Sequence, residues 1–161
     1  MFIITKEFHF SASHILEGLP EGHPCSRLHG HNYVVVIELA SAELDDRGFV
    51  VDYGDLKTFK DYIDNRLDHQ HLNDVLVVPS PTAEWIAKHL YEVAKDMFHQ
   101  VVSIRVSETP KTWATYTELI PGSLVELTSS DEEISTFPGD DYRHSGGHAS
   151  GTLQMLSGGL L

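Results

Sequence analysis

The sequence predicts an α+β domain: a four-stranded antiparallel sheet with two helices on one face. Three observations carry this. Two long segments alternate apolar and polar residues at the start of the chain, two segments of helical spacing follow, and two short β-rich segments close the pattern. The order is β-β-α-α-β-β.

In the first strand Phe2, Ile4, Phe8, Phe10, Ala12 and His14 share one parity, so Met1 to His14 reads as extended. It lacks the basic segment and apolar block of a secretion signal. Gly18 to Cys25 holds two prolines and two glycines and reads as a loop. His29, His31, Tyr33, Val35, Ile37 and Leu39 set the inner face of the second strand. Asp45 to Gly48 turns the chain, and Phe49 to Tyr53 is expected as a short extended piece. Leu56, Phe59, Ile63 and Leu67 recur at helical spacing, and Asp68 to Asp74 reads as a polar loop. For the second helix, Ser80 is the expected cap and Pro81 the first helical residue, with Ile86, Leu90, Val93 and Met97 as its stripe. Val102, Ile104 and Val106 give the third strand, with Glu108 on their face. A turn at Pro110–Lys111 leads into a fourth strand, Thr112 to Ile120.

The chain has 161 residues, of which 41% are hydrophobic and 22% charged, a composition that suits one ordinary domain. We place the domain at 1–128. Residues 129–161 hold half of the 12 glycines and show no amphipathic period, so they are expected to form a flexible acidic tail. The formal charge of −13 argues against nucleic acid as a partner, and no stretch is long and apolar enough for a membrane. One cysteine, Cys25, excludes an internal disulfide and points to a reducing cytoplasm.

Histidine carries most of the chemical information. His29 and His31 project from one strand face and can reach one metal ion. His14, at the end of the first strand, can add a third imidazole. The competing reading is ordinary polar strand residues, weakened by their apolar neighbours Tyr33, Val35 and Ile37. Cys25 has three readings: a base or nucleophile, a metal ligand, or a small buried residue. Asp68–His69 is a carboxylate–imidazole couple suited to proton transfer, or else a solvated loop pair. Glu108 on an apolar parity needs a partner. A ligand edge with two adjacent N–H donors would supply one, unless the carboxylate escapes to solvent.

Phe10–Ser–Ala–Ser–His14, Cys25–Ser–Arg–Leu–His29–Gly–His31–Asn–Tyr33, Leu67–Asp–His69 and Ser107–Glu108–Thr109 occur in one order that resembles the 6-pyruvoyl-tetrahydropterin synthase family. The likeness spans about residues 1–121. It is greatest to the bacterial branch, the 6-carboxy-5,6,7,8-tetrahydropterin synthases of queuosine and 7-deazapurine synthesis. The short Cys25 to His29 interval, with Arg27 inside it, resembles that branch; the pyruvoyl-forming branch commonly has a longer one. The resemblance implies a tunnelling fold whose strands form a barrel in a homo-oligomer, a hexamer of paired trimer rings with active sites between subunits. It implies zinc on His14, His29 and His31, and a catalytic Cys25 working with Asp68 and His69 of a neighbouring subunit. It implies Glu108 as anchor of the pterin ring and, by position, Thr82 near the ligand. The implied substrate is 7,8-dihydroneopterin triphosphate, with 6-carboxytetrahydropterin, acetaldehyde and triphosphate as products and no nicotinamide or flavin.

Overall fold

A computed structural model describes residues 1–118. The expected 129–161 tail and residues 119–120 of the expected fourth strand lie outside them. Strands β1 (Phe2–His14) and β2 (His29–Ser41) pair antiparallel along their whole lengths, with Phe2 opposite Ser41 and His14 opposite His29. Strand β3 (Val101–Thr109) pairs with β2, and β4 (Thr112–Tyr116) pairs with β3, giving a four-stranded sheet in the order β1-β2-β3-β4. The expected alternation holds on β1, where Phe8, Phe10, Ala12 and His14 are buried, and on β2, where Tyr33, Val35, Ile37 and Leu39 are buried.

One face of this sheet carries the helices α1 (Lys57–Arg66) and α3 (Ala83–Met97). The residues that drive α1 onto the sheet are those of the helical spacing: Leu56, Phe59, Ile63 and Leu67 are all buried, and the Phe59 ring meets Phe8 edge-on at 5.5 Å. Helix α3 buries Ile86, Ala87, Leu90, Tyr91 and Ala94, and Tyr91 packs against Tyr116 of β4 at 5.1 Å.

Four details differ from the sequence expectation. A third helix, α2 (Leu72–Leu76), stands where a loop was expected. Leu72 is buried in the core, and the His71 carbonyl accepts from Asp74 and Val75, so one apolar anchor turns the polar run into a helical turn. Thr82, rather than Ser80, caps α3; Ser80 Oγ is engaged by the Glu17 backbone instead, and Pro81 precedes the helix. Met97 is exposed, because the buried stripe runs through Ala87, Tyr91 and Ala94 and drifts past it. Residues 49–53 form bends and turns, with Asp52 accepting from the Gly54 amide at 2.8 Å, and join no strand ladder.

The topology places the C-terminal end of β1, the N-terminal end of β2 and the C-terminal end of β3 at one end of the sheet. His14, His29, His31 and Glu108 lie there on the helix-bearing face, and Ser11, Ser13, Gly30 and Asn32 carry the opposite parity.

Candidate metal centre and ligand site

The pairing of β1 with β2 sets His14 opposite His29 and Ala12 opposite His31, which brings three imidazoles from two strands together. Their ligand nitrogens lie within 4.8 Å of one another, and the ring centroids are 4.4 to 5.2 Å apart. Close approach of the strands requires Gly30: a Cβ there would sit 2.8 Å from the Ala12 carbonyl oxygen.

Hydrogen bonds fix the tautomers. His14 Nδ1 lies 2.9 Å from the Pro81 carbonyl, and His29 Nδ1 lies 2.7 Å from the Arg27 carbonyl. A carbonyl only accepts, so each Nδ1 carries its hydrogen and each Nε2 presents a lone pair. The two Nε2 atoms face one another at 3.0 Å. Two lone pairs repel at that distance unless a proton or a cation lies between them. Burial holds His14 below the ordinary histidine range despite the Pro81 bond, and burial followed by the charge of His29 lowers His31. His14 and His31 thus resist protonation, and three clustered imidazoles suit a divalent metal. Carbonyl partners on the far ring nitrogens are the usual support of metal-binding histidines. Three imidazole nitrogens in one cluster suit zinc.

Glu108 faces a cavity of about 310 Å³ lined also by Leu16, Thr82, Glu84, Thr112 and Trp113. Its Oε1 is buried and has no hydrogen-bond partner among the described residues. Burial, with a smaller push from Glu84, raises its carboxyl above the usual range; His29 pulls the other way. An orphan buried carboxylate oxygen is a costly feature that a donor-bearing ligand would relieve. Thr82, proposed by position alone, lies in this cavity, although its hydroxyl already caps α3 by accepting from the Trp85 amide. Trp113, half-exposed on the same wall, went unnoticed in the sequence because a tryptophan on a short strand carries no motif.

Cys25 is half-buried in a single 3-10 turn, Pro24–Ser26. Its carbonyl accepts from Leu16, a lining residue of the Glu108 cavity, at 3.0 Å. It stands outside the three-histidine group.

Asp68 and His69 lie elsewhere. Asp68 Oδ2 is 2.7 Å from His69 Nδ1, and Asp68 Oδ1 accepts from the Ser11 amide at 2.7 Å, which lowers the Asp68 carboxyl. His69 has φ of 58°, in the left-handed region that non-glycine residues avoid. Its amide donates to Ser11, and the segment then runs beside β1 through a Ser13–His71 bridge. The His69 side chain is 81% exposed and shares an open cleft with Ser11, Ser13 and Asn32, whose parity is opposite to the histidine group, and with His31, which borders the cleft. One chain thus divides the expected residues between two faces: His14, His29, His31, Glu108 and Thr82 on one, the Asp68–His69 couple at the edge and on the other.

The family model described as 6-pyruvoyl tetrahydropterin synthase matches residues 3–119. The chain belongs to this family. It is 40% identical over 125 residues to a 6-carboxy-5,6,7,8-tetrahydropterin synthase of a Synechocystis species, covering 72% of this chain and 93% of that protein. To the 6-carboxy-5,6,7,8-tetrahydropterin synthase of Bacillus subtilis it is 34% identical over 127 residues, covering 71% of this chain and 84% of that one. Among solved structures, the 6-pyruvoyl tetrahydropterin synthase of Caenorhabditis elegans superposes with a TM-score of 0.63 at 29% identity, covering 73% of this chain and 96% of the other. The protein is therefore an enzyme of the tetrahydropterin synthase family. No helix among the described residues is long and apolar enough to cross a membrane.

Proposed function

We propose that this enzyme converts 7,8-dihydroneopterin triphosphate and one water to 6-carboxy-5,6,7,8-tetrahydropterin, with release of acetaldehyde and triphosphate. One observation carries the reading: three clustered imidazole nitrogens and one buried carboxylate oxygen without a partner among the described residues occupy the same end of the same sheet face. The names of the Synechocystis and Bacillus subtilis relatives, and the three residues between Cys25 and His29, favour the carboxy product over the pyruvoyl one.

His14, His29 and His31 would hold zinc, which when bound polarises the side-chain oxygens of the substrate. Glu108 accepts the two adjacent N–H groups of the pterin edge and so sets the ring's orientation. Cys25, as thiolate, takes a carbon-bound proton at Sγ. Asp68 holds the hydrogen of His69 at Nδ1, which leaves Nε2 to move the second proton. Because His69 lies on the other face of its own sheet, it serves the histidine group of a neighbouring copy. The assembly is a homo-oligomer with sites between subunits.

The test is incubation of zinc-loaded protein with dihydroneopterin triphosphate and mass identification of the products. A carboxypterin with free acetaldehyde supports the reading. A pyruvoyl pterin that keeps the side-chain carbons assigns the sister activity, and no turnover by zinc-loaded protein rejects both. In the Cys25→Ala variant we expect turnover to fall at least about a hundredfold, the usual scale for a group that transfers a proton.

A further inference from the structure

The cleft that contains His69 has a composition at odds with the rest of the molecule. Ser11, Ser13, Asn32, Gln70 and His71 line it, as does His31 of the histidine group, and among the described residues no aspartate or glutamate does. This occurs in a chain with 24 acidic residues against 11 lysines and arginines. Asp68, the neighbour of His69 in the chain, has both oxygens occupied, one by the Ser11 amide and one by His69.

The polar groups of the cleft are arranged to give hydrogen. Ser11 Oγ donates to Asn32 Oδ1 at 2.7 Å, which turns the Asn32 amide nitrogen and its two hydrogens away from that bond. Ser13 Oγ lies 3.1 Å from His71 Nδ1. If the serine donates, the hydrogen of the ring is on Nε2 and free; if the ring donates, the serine hydroxyl is free. In either tautomer the pair keeps one donor hydrogen for a ligand. His71 is also held in place by its backbone: it bridges to Ser13, and its carbonyl receives the Asp74 and Val75 amides that open α2. A half-buried imidazole fixed in this way loses little freedom on meeting a ligand. In the sequence His71 has no distinguishing context, since only folding brings it to Ser13.

We infer that this cleft is an anion subsite, with His71 and Asn32 as its donors, and that it receives the phosphate chain of a substrate held by the histidine group of a second copy. The inference rests on the reading above, which places His69 of one chain at the site of another; His71 is two residues further along the same edge. It also answers a need of this chain. A polyphosphate must be held by few cations, and an acid-free wall of neutral donors does so without a basic patch. His71 and Asn32 are thus positioning residues for the substrate's phosphate end and take no proton from its reacting carbons.

The experiment uses inorganic triphosphate as probe and metal-free full-length protein, because triphosphate also binds metal ions. Calorimetry at fixed salt is run on the wild type, His71→Phe, Asn32→Ala and Lys57→Gln. The last removes a cation paired with Asp61 on α1, away from the cleft. The expected result is triphosphate binding weakened by about tenfold or more in His71→Phe and in Asn32→Ala, and unchanged in Lys57→Gln. With zinc-loaded enzyme and dihydroneopterin triphosphate, the two cleft variants should raise KM while kcat stays within about twofold of the wild type. Equal triphosphate affinity in all four proteins, or no binding by the wild type, overturns the inference. Absence of turnover by zinc-loaded wild type would instead overturn the proposed reaction, and the metal-free titration would still judge the cleft.

Discussion

At Glu108 the sequence sets a carboxylate among apolar neighbours, and the fold leaves one of its oxygens without a partner among the described residues. Burial and Glu84 raise its carboxyl above the ordinary glutamate range. The sign of the consequence follows from proton counting. Between the ordinary value and the raised one, the folded protein binds more protons at this site than the unfolded chain does. Glu108 therefore costs stability as pH rises through that window and costs least in acid. Glu108→Gln removes the charge and keeps the shape. We expect the variant to melt above the wild type near pH 7 and to converge with it toward about pH 4, as measured by thermal unfolding of matched metal-free samples. A wild type that melts as high as the variant across that range would contradict a strained, unpartnered carboxylate. The same substitution replaces an acceptor by an amide that also donates, so binding of the pterin edge should fall even as the protein gains stability. Opposite movement of stability and activity is the mark of a functional group kept at a structural cost.

At the scale of elements, the strand pair does the assembling. The register that sets His14 against His29 depends on Gly30, whose missing Cβ lets Ala12 approach. In Gly30→Ala the new methyl would meet backbone rather than a flexible side chain, so the strands must part. We expect a loss of about 1–3 kcal/mol in denaturant unfolding, with weaker zinc binding as the three nitrogens separate. A variant that unfolds and binds zinc like the wild type would show that the close approach is dispensable. Leu90→Ala offers a contrast: it empties a fully buried position on α3 and should cost about 2–5 kcal/mol while zinc affinity holds.

The strand pair was also the most legible part of the sequence, since period-two alternation over thirteen residues in each strand leaves little freedom of face or register. The three histidines were readable for the same reason: they sit on the parity of Phe10, Tyr33 and Val35. What escaped depended on contacts between distant segments. Ser80 met the preference for a helix cap, yet Glu17, far away in sequence, claimed its hydroxyl and left the cap to Thr82. Leu72 turned an apparent polar loop into α2 because the core had room for it. His71 and Trp113 gained meaning only from Ser13 and Glu108, which no local pattern connects to them.

For the whole molecule, the division of chemistry between two faces of one sheet has a consequence for assembly. The Asp68–His69 couple is anchored to Ser11 at the β1 edge, and its imidazole is largely exposed there, while the three histidines share the parity of the helix-bearing face. A side chain held by a backbone hydrogen bond at one position cannot swing around a paired strand to the opposite side. If both groups act on one substrate, two copies of the chain must meet, each giving one part. This arrangement can be tested without a structure of the assembly. His29→Ala alone removes a metal ligand from every site, and His69→Ala alone removes the proton-transfer imidazole from every site, so each homo-oligomer should be inactive. When the two are unfolded together and refolded as a mixture, some interfaces pair an intact histidine group with an intact His69. Random association predicts recovery of about a quarter of wild-type turnover, since each half of a site is intact in about half of the chains. Refolding the two separately and mixing afterwards should give much less if subunits exchange slowly. Were each site built within one chain, every site would carry one lesion and the co-refolded mixture would stay inactive. That outcome would require the exposed His69 to have another task.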